Sequence, residues 1–220
     1  MATRFYTDPT NAPTVSPAYG GTWDDTSQAV RRKLVIDTAG NNASTDFNFN
    51  EVAAYNDYIL AVQFVSEPLD AISMATAEYK VAFRCLESNA KAECFLYVRI
   101  GKCDSDGGNP EIFVGFSEGT EFDSVVLTNR FDPDNVGAIK VLSQGDRLII
   151  EVGARFVYSK VSSYNATISV TDNHATTDLG ENDTDTAAYN SWIETGDTFT
   201  VASGDPPAEV VKLGPMFAFA

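Results

Sequence analysis

Basic residues are scarce in this sequence: 15 Lys and Arg stand against 31 Asp and Glu, a formal net charge of −16. Phosphate backbones reward clustered cations, so nucleic acid is not an expected partner. The one close basic cluster, Arg31-Arg32-Lys33, is too short for a nucleic-acid arm and reads as a solvated patch or local ion pairs. Histidine is nearly absent. His174 stands alone among the acids of "TDNHATTDLGENDTDT" (171–186), which excludes a multi-His zinc centre. It also leaves a Ser-His-Asp triad without a recognisable nucleophile. The three cysteines, Cys85, Cys94 and Cys103, are odd in number and show no C-x-x-C spacing, which argues against a disulfide framework or a zinc site. No apolar run is long enough to cross a membrane as a helix. The first residues lack a charged stretch followed by an apolar one, so no secretory leader is read and synthesis in a cytoplasm is expected. The sequons at Asn42, Asn165 and Asn182 are then read as chance. No G-x-G-x-x-G or P-loop occurs, and no cofactor is expected.

Helical periodicity is also nearly missing, while alternation at period two is common. In "AEYKVAFRCLESNAKAECFLYVRIGK" Tyr79, Val81, Phe83 and Cys85 share one face, and Cys94, Leu96, Val98 and Ile100 share another. A short loop at 88–91 would make these two runs a hairpin with Cys85 opposite Cys94 on the buried face. Both thiols are expected reduced, and Cys103, past the strand end, is expected to be the more accessible. Further strands are read at "YILAVQFV" (58–65), "EIFVGF" (111–116), "DSVVLTN" (123–129), "GDRLIIEVGARFVY" (145–158), "NATISVTD" (165–172), "FTVAS" (199–203) and "VVKLGPMFAFA" (210–220). Short helices are allowed at "DTSQAVRRKL" and at 51–57. Many short strands with polar turns predict an all-β chain, an antiparallel β-sandwich of jelly-roll-like arrangement.

The opening "RFYTDPTNAPTVSPAYGGTWDD" combines regularly spaced prolines with rings. Proline cannot serve a central strand. Residues 1–30 are therefore read as an extended N-terminal arm, and 31–220 as a single β-sandwich domain. The arm would dock a neighbouring subunit through Phe5, Tyr6, Pro9, Pro13, Pro17, Tyr19 and Trp23.

Weaker constellations point to chemistry without specifying it. "CDSDGGNPE" (103–111) begins like a calcium loop with Asp104, Asp106 and Glu111, but its glycine and glutamate positions do not fit one. Rings such as Tyr97 or Trp192 would suit a sugar platform if exposed. The loop 171–186 is expected to face solvent, because burying its charge would be costly.

The opening "MATRFY…VSPAYGGTWDDTSQAVRRKL" resembles a group of proteins encoded by tailed bacteriophages, which begin M-A-x-R-F-Y and continue through V-S-P-A-[FY], a Trp and a T-x-QA-x-RR-x-L element. Similar stretches follow at "ILAVQFVSEPL" (59–69), "GTEF" (119–122), "GDRLIIEVG" (145–153) and "TDL…WIE" (177–194). The cysteines and the calcium-like loop depart from that pattern. The resemblance implies a virion structural protein and attaches no active site. The expectation is a non-enzymatic accessory protein that decorates the capsid, binds major capsid or tail proteins, self-associates as a homo-oligomer and resides in the virion. The alternatives are a tail or tail-fibre component, or a carbohydrate-binding module for a host glycan; a glycan-degrading enzyme is the third.

Overall fold

The computed structural model describes residues 2–36, 43–51, 57–75, 78–137, 139–157, 164–172 and 177–202. Among these residues thirteen strands follow in chain order. They are β1 (Thr3–Asp8), β2 (Val30–Val35), β3 (Ala43–Asn50), β4 (Asp57–Ser66), β5 (Ile72–Ser73), β6 (Glu78–Glu87) and β7 (Cys94–Cys103). After these come β8 (Glu111–Glu121), β9 (Thr128–Val136), β10 (Val141–Leu142), β11 (Arg147–Phe156), β12 (Asn165–Asp172) and β13 (Trp192–Thr195). There is no helix among the described residues.

Eleven strands form one sheet in the order β3-β12-β6-β13-β1-β2-β4-β11-β7-β8, with β9 added on β6; β5 and β10 make a separate ribbon. Residues from both parts of this order meet in one interior, so two halves of the sheet face each other as a sandwich. Across the interior Phe64 stacks on Phe83 at 6.3 Å and Phe49 meets Phe156 edge-on at 6.1 Å. One buried apolar cluster takes residues from both halves. The fold is thus all-β, antiparallel except for the parallel β2–β4 pair, and jelly-roll-like.

The inward faces are those the alternation marks. Tyr79, Val81, Phe83 and Cys85 of β6 are buried, as are Leu96, Val98 and Ile100 of β7 and Leu148, Ile150, Val152 and Ala154 of β11. The pairing of β6 with β7 differs from expectation. β6 has β9 along one edge and β12 and β13 end to end along the other, and β7 lies between β11 and β8. The 88–93 connection therefore carries the chain from one half of the sandwich to the other, and Cys85 and Cys94 do not face each other as strand partners. Cys85 pairs with Thr128 and Ile168, and Cys94 with Phe156. Alternation dictates which face is buried; it does not name the neighbour.

The two halves are also covered on their outer faces. Val65, Cys103 and Ile149 pack with Val15 from the opening segment. Ala82 and Trp192 pack with Leu179. This double burial explains why β4 and β11 read as nearly continuous apolar runs. It also corrects the expectation for Cys103, which is buried rather than accessible. The helix allowed at 25–34 is absent. Asp25 caps a single turn, accepting from Ser27 N at 2.8 Å, and Val30 opens β2, whose Leu34 is buried. The second helix allowed, at 51–57, falls mostly outside the described residues; Asp57 opens β4.

Candidate interaction surfaces

The opening segment docks on its own domain. Residues 3–8 form β1, paired on one side with β13 and on the other with β2. Phe5 is fully buried and meets Phe199 edge-on at 5.5 Å, while Tyr6 points to the other face and donates to Asp178 at 3.1 Å. Asp8 then accepts from Thr10 N and Asn11 N and turns the chain out of the sheet. Pro9 and Pro17 are buried and Pro13 is half-buried. A proline-rich stretch leaves carbonyls without ladder partners, and the Arg31-Arg32 pair supplies donors for them. Arg32 Nε donates to Pro9 O and Arg31 Nη2 to Pro17 O, both at 2.7 Å, and the Arg31 guanidinium covers Tyr19 at 4.0 Å. The reading of residues 1–30 as an extended arm separate from a 31–220 domain is corrected accordingly. Its rings are core and covering-layer residues, and the basic cluster is its fastening.

A buried carboxylate completes that fastening. Glu151 stands on β11 in the midst of an apolar strand and is buried. It accepts from Trp23 Nε1 at 2.7 Å, Gly20 N at 2.8 Å and Gln63 Nε2 at 3.1 Å, with Arg99 Nη1 at 3.7 Å. Trp23 in turn packs edge-on against Tyr97 at 5.3 Å, and Tyr97 against Tyr58 at 4.6 Å. Two glycines make room. A Cβ on Gly20 would overlap Arg99 Nη1, and one on Gly153 would overlap the Ile59 carbonyl and crowd the Trp23 ring. Tyr97 is therefore a packing residue under residues 18–23 rather than a sugar platform. Trp192 is likewise buried, with the Arg4 guanidinium 3.9 Å over its ring.

The acidic segment after β12 is less exposed than its charge suggests. His174 lies outside the described residues. Beyond it Leu179 is buried, Asp178 accepts from Arg4 at 2.7 Å, and Glu194 accepts from the same guanidinium at 2.8 Å. Burial opposes the Arg4 charge, but these carboxylates outweigh it and its pKa is raised. Asn129 Nδ2 donates to Gly180 O at 2.7 Å and Phe131 N to Asp183 Oδ1 at 2.8 Å, which ties the segment to β9. The expectation of a solvent-facing loop over 171–186 holds in part: Thr177, Glu181, Asn182, Thr184 and Thr186 are exposed, whereas Leu179 is buried and Asp178 and Asp183 are half-buried against their partners.

The calcium-like loop is closed by its own turn. Asp104 accepts from Gly107 N through its carbonyl and from Asn109 Nδ2 through its carboxylate, and Asp106 accepts from Gly108 N. Glu111 faces Lys140 at 2.6 Å. Among the described residues no group of three or more His, Cys, Asp or Glu side chains is placed to hold a metal ion.

Besides the Glu151 clamp, two features escaped the sequence. One is Glu87 at the end of β6, buried with its Oε2 accepting from Cys94 N at 3.0 Å. Burial first, and then the neighbouring Glu121 carboxylate, push its pKa up to about 7 despite that hydrogen bond. The other is an aliphatic ridge at the end of β9 and in β10. Val136, Ile139 and Val141 are 70%, 66% and 63% exposed, all within six residues. Lys140 and Lys102 flank it, paired with Glu111 and Asp146 at 2.6 and 2.8 Å. An alternation reading cannot find such a ridge, because exposed aliphatics look like core until the fold is known.

No family model matches this chain, and no curated protein does. Solved structures do resemble it. An aminopeptidase from a marine sediment archaeon, Thaumarchaeota archaeon, superposes with a TM-score of 0.54 at 9% identity, over 91% of this chain and 37% of that one. A CocE/NonD family hydrolase from Staphylococcus aureus superposes with a TM-score of 0.53 at 9% identity, over 89% and 36%. The chain thus spans little more than a third of the length of these proteins, and at such identity the likeness is one of fold. The expectation that this chain is no enzyme is therefore withdrawn: proteins with this fold include an aminopeptidase and a CocE/NonD family hydrolase.

Proposed function

We propose that this chain is a β-sandwich assembly domain of a bacteriophage particle, an accessory protein that decorates the capsid by docking on neighbouring virion proteins. The observation that carries this reading is the Val136–Ile139–Val141 ridge. A chain of net charge −16 repels acidic neighbours over most of its surface. Adjacent aliphatics two-thirds exposed, bordered by two lysines, have the apolar centre and polar rim of a docking patch. The phage-like opening motifs supply the particle. The test is incorporation. An Ile139→Glu variant, shown folded by circular dichroism, should be lost from purified particles while the parent chain is resolved on them by cryo-electron microscopy. Undiminished incorporation of the variant, or absence of the parent from the particle, refutes the reading.

The fold comparison favours a second reading, in which the sandwich serves a hydrolase. Chromogenic ester and aminoacyl substrates, offered to the purified chain alone and to the chain with its co-purifying proteins, decide it. Turnover above a buffer control in either sample supports this reading, and none in both removes it.

A further inference from the structure

Proline follows aspartate twice among the described residues, at Asp8–Pro9 and Asp132–Pro133. This pair of residue types carries a reaction of its own. A side-chain oxygen of the aspartate can attack the carbonyl carbon of its own residue through a five-membered ring. The group that must leave is the proline nitrogen, which has no N–H and is easier to protonate than an ordinary peptide nitrogen. The two sites differ in what holds the carboxylate. At Asp8 both oxygens are engaged: Oδ1 accepts from Thr10 N, Thr10 Oγ1 and Asn11 N, and Oδ2 from Asn11 Nδ2. Burial opposes that charge, but the bonds from Asn11 and Thr10 outweigh it and the pKa of Asp8 is lowered. Asp132 is buried too, and its Oδ1 accepts from Asn135 Nδ2 at 2.8 Å, but its Oδ2 has no hydrogen-bond partner among the described residues. Burial raises its pKa, the Asn135 bond opposes the rise, and the Asp183 carboxylate adds to it. Asp183 is held in place by Phe131 N and Thr120 Oγ1. Glu118 of β8 feels the same Asp183 charge, Arg130 of β9 donates to the Asp183 carbonyl at 3.5 Å, and β6 presents Val81 at the position paired with Asp132.

We propose that the chain cuts itself between Asp132 and Pro133 in mild acid. The backbone is arranged for it. Between the Tyr79–Asn135 and Val81–Asp132 pairs, Pro133 and Asp134 of β9 stand against Lys80 alone, a bulge that takes the proline out of the ladder. Pro133 is exposed, so water reaches the bond from outside while the unengaged carboxyl oxygen lies inside. Asp132 Oδ2 bonds to the Asp132 carbonyl carbon, the C–N bond to Pro133 breaks, and the carboxyl proton leaves on the proline nitrogen, now a secondary amine. Water then opens the cyclic anhydride and leaves Asp132 as a free carboxyl end. The sum is one peptide bond and one water converted to an acid and an amine. The reacting species carries one proton, so the rate follows the protonated fraction of Asp132 and falls as pH rises through its pKa. At any one pH that fraction is larger at Asp132, whose pKa is raised, than at Asp8, whose pKa is lowered. The pieces stay together after the cut, because β11, β12 and β13 are built into the same sheet as the strands before Pro133. The Val136–Ile139–Val141 ridge then passes from the middle of the chain to the neighbourhood of a new amino terminus at Pro133. The inference does not depend on which particle or enzyme the chain serves.

Intact mass spectrometry of the purified chain tests it, at the lowest pH at which circular dichroism shows the fold intact and again at neutral pH. The acid sample should accumulate residues 1–132 and 133–220, the second with proline at its amino terminus on sequencing, and the neutral sample should stay whole. In the same acid sample the Asp8–Pro9 bond should be cut at least tenfold more slowly, and in urea at that pH the two bonds should be cut at similar rates. Asp132→Glu keeps the acid but needs a six-membered ring, and Pro133→Ala restores an ordinary peptide nitrogen; each should slow the cut at least tenfold, with melting curves at neutral pH showing both variants folded. Asp132→Ala should abolish it. A folded parent that stays whole in acid, or cutting at this bond that persists in Asp132→Ala, overturns the inference. So does equal cutting of the two bonds in the folded chain, or a preference for Asp132–Pro133 that survives urea, because the fold then does not select the site.

Discussion

Glu151→Ala removes one carboxylate and leaves the Trp23 indole N–H, the Gly20 amide and the Gln63 amide without their acceptor. Arg99 loses its nearby carboxylate at the same time. A buried donor left unpaired costs about 1–3 kcal/mol, and breaking a buried ion pair about 3–5 kcal/mol. These costs overlap, because water entering the vacated space solvates several of the groups together. The net loss expected is about 4 kcal/mol. A chain of this size shifts its Tm by about 2–4 °C per kcal/mol, so the melting point should fall by about 8–16 °C. The loss has a local signature as well. Residues 9–29 should come away from the sheet before the sandwich melts, seen as red-shifted Trp23 emission and faster proteolysis between Thr10 and Thr22. Trp23→Phe, which deletes only one donor, should cost about 1–2 kcal/mol. The double variant should cost less than the sum, since the two side chains share one bond. A Glu151→Ala protein that melts within 2 °C of the parent, with unchanged emission, would refute the claim that this carboxylate fastens the covering layer.

Gly153→Ala should destabilise by more than about 2 kcal/mol, because its Cβ would overlap the Ile59 carbonyl at the β4–β11 bulge, whereas Gly21→Ala, which opens into free space, should be neutral; urea midpoints compare them. Glu87 binds its proton up to about pH 7 in the fold, against an ordinary value of 4.5, so the native state is the more protonated one between them and stability falls as pH rises through that window. Glu87→Gln should therefore gain on the parent from pH 4.5 to 7 and hold a constant advantage above it, of at most about 3 kcal/mol; a parallel pair of Tm profiles would contradict this. All three thiols should resist labelling in the native protein and react together on unfolding, since each is buried and burial pushes Cys103 up to about 11; fast native labelling of Cys103 counts against the covering layer over β4, β7 and β11.

The faces of β6, β7, β11 and β12 were legible because a strand buried on its inner side must alternate, and Val81, Phe83, Leu96, Val98, Ile168 and Val170 do. Partners were not legible. The residues between Glu87 and Cys94 are as compatible with a crossing between the halves as with a tight turn. In the opening segment the prolines argue against a central strand over 1–30; that holds for 9–29 and fails for β1, because nothing local says that Phe5 belongs to a strand whose partner lies near residue 193. The Glu151 clamp was hidden for the same reason. Its bond to Trp23 spans 128 positions, and a single acid in "RLIIEVGARF" reads as an outward-facing charge. The useful signal is that acid two positions before a glycine inside an apolar run, where a solvated residue has no evident way out to water.

Thr3 pairs with Thr195, and β1 holds the place between β13 and β2. On a ribosome adding about 5–20 residues per second, the first strand is made about 10–40 s before its partner. For that interval the edge of β1 that will meet β13 has no ladder, and Phe5 lacks the Phe199 ring that later covers it. The nascent chain is thus exposed to misassembly with its neighbours on the polysome, and anything that slows elongation over residues 36–192 prolongs the exposure. The arrival of β13 sets the moment at which β1 becomes safe.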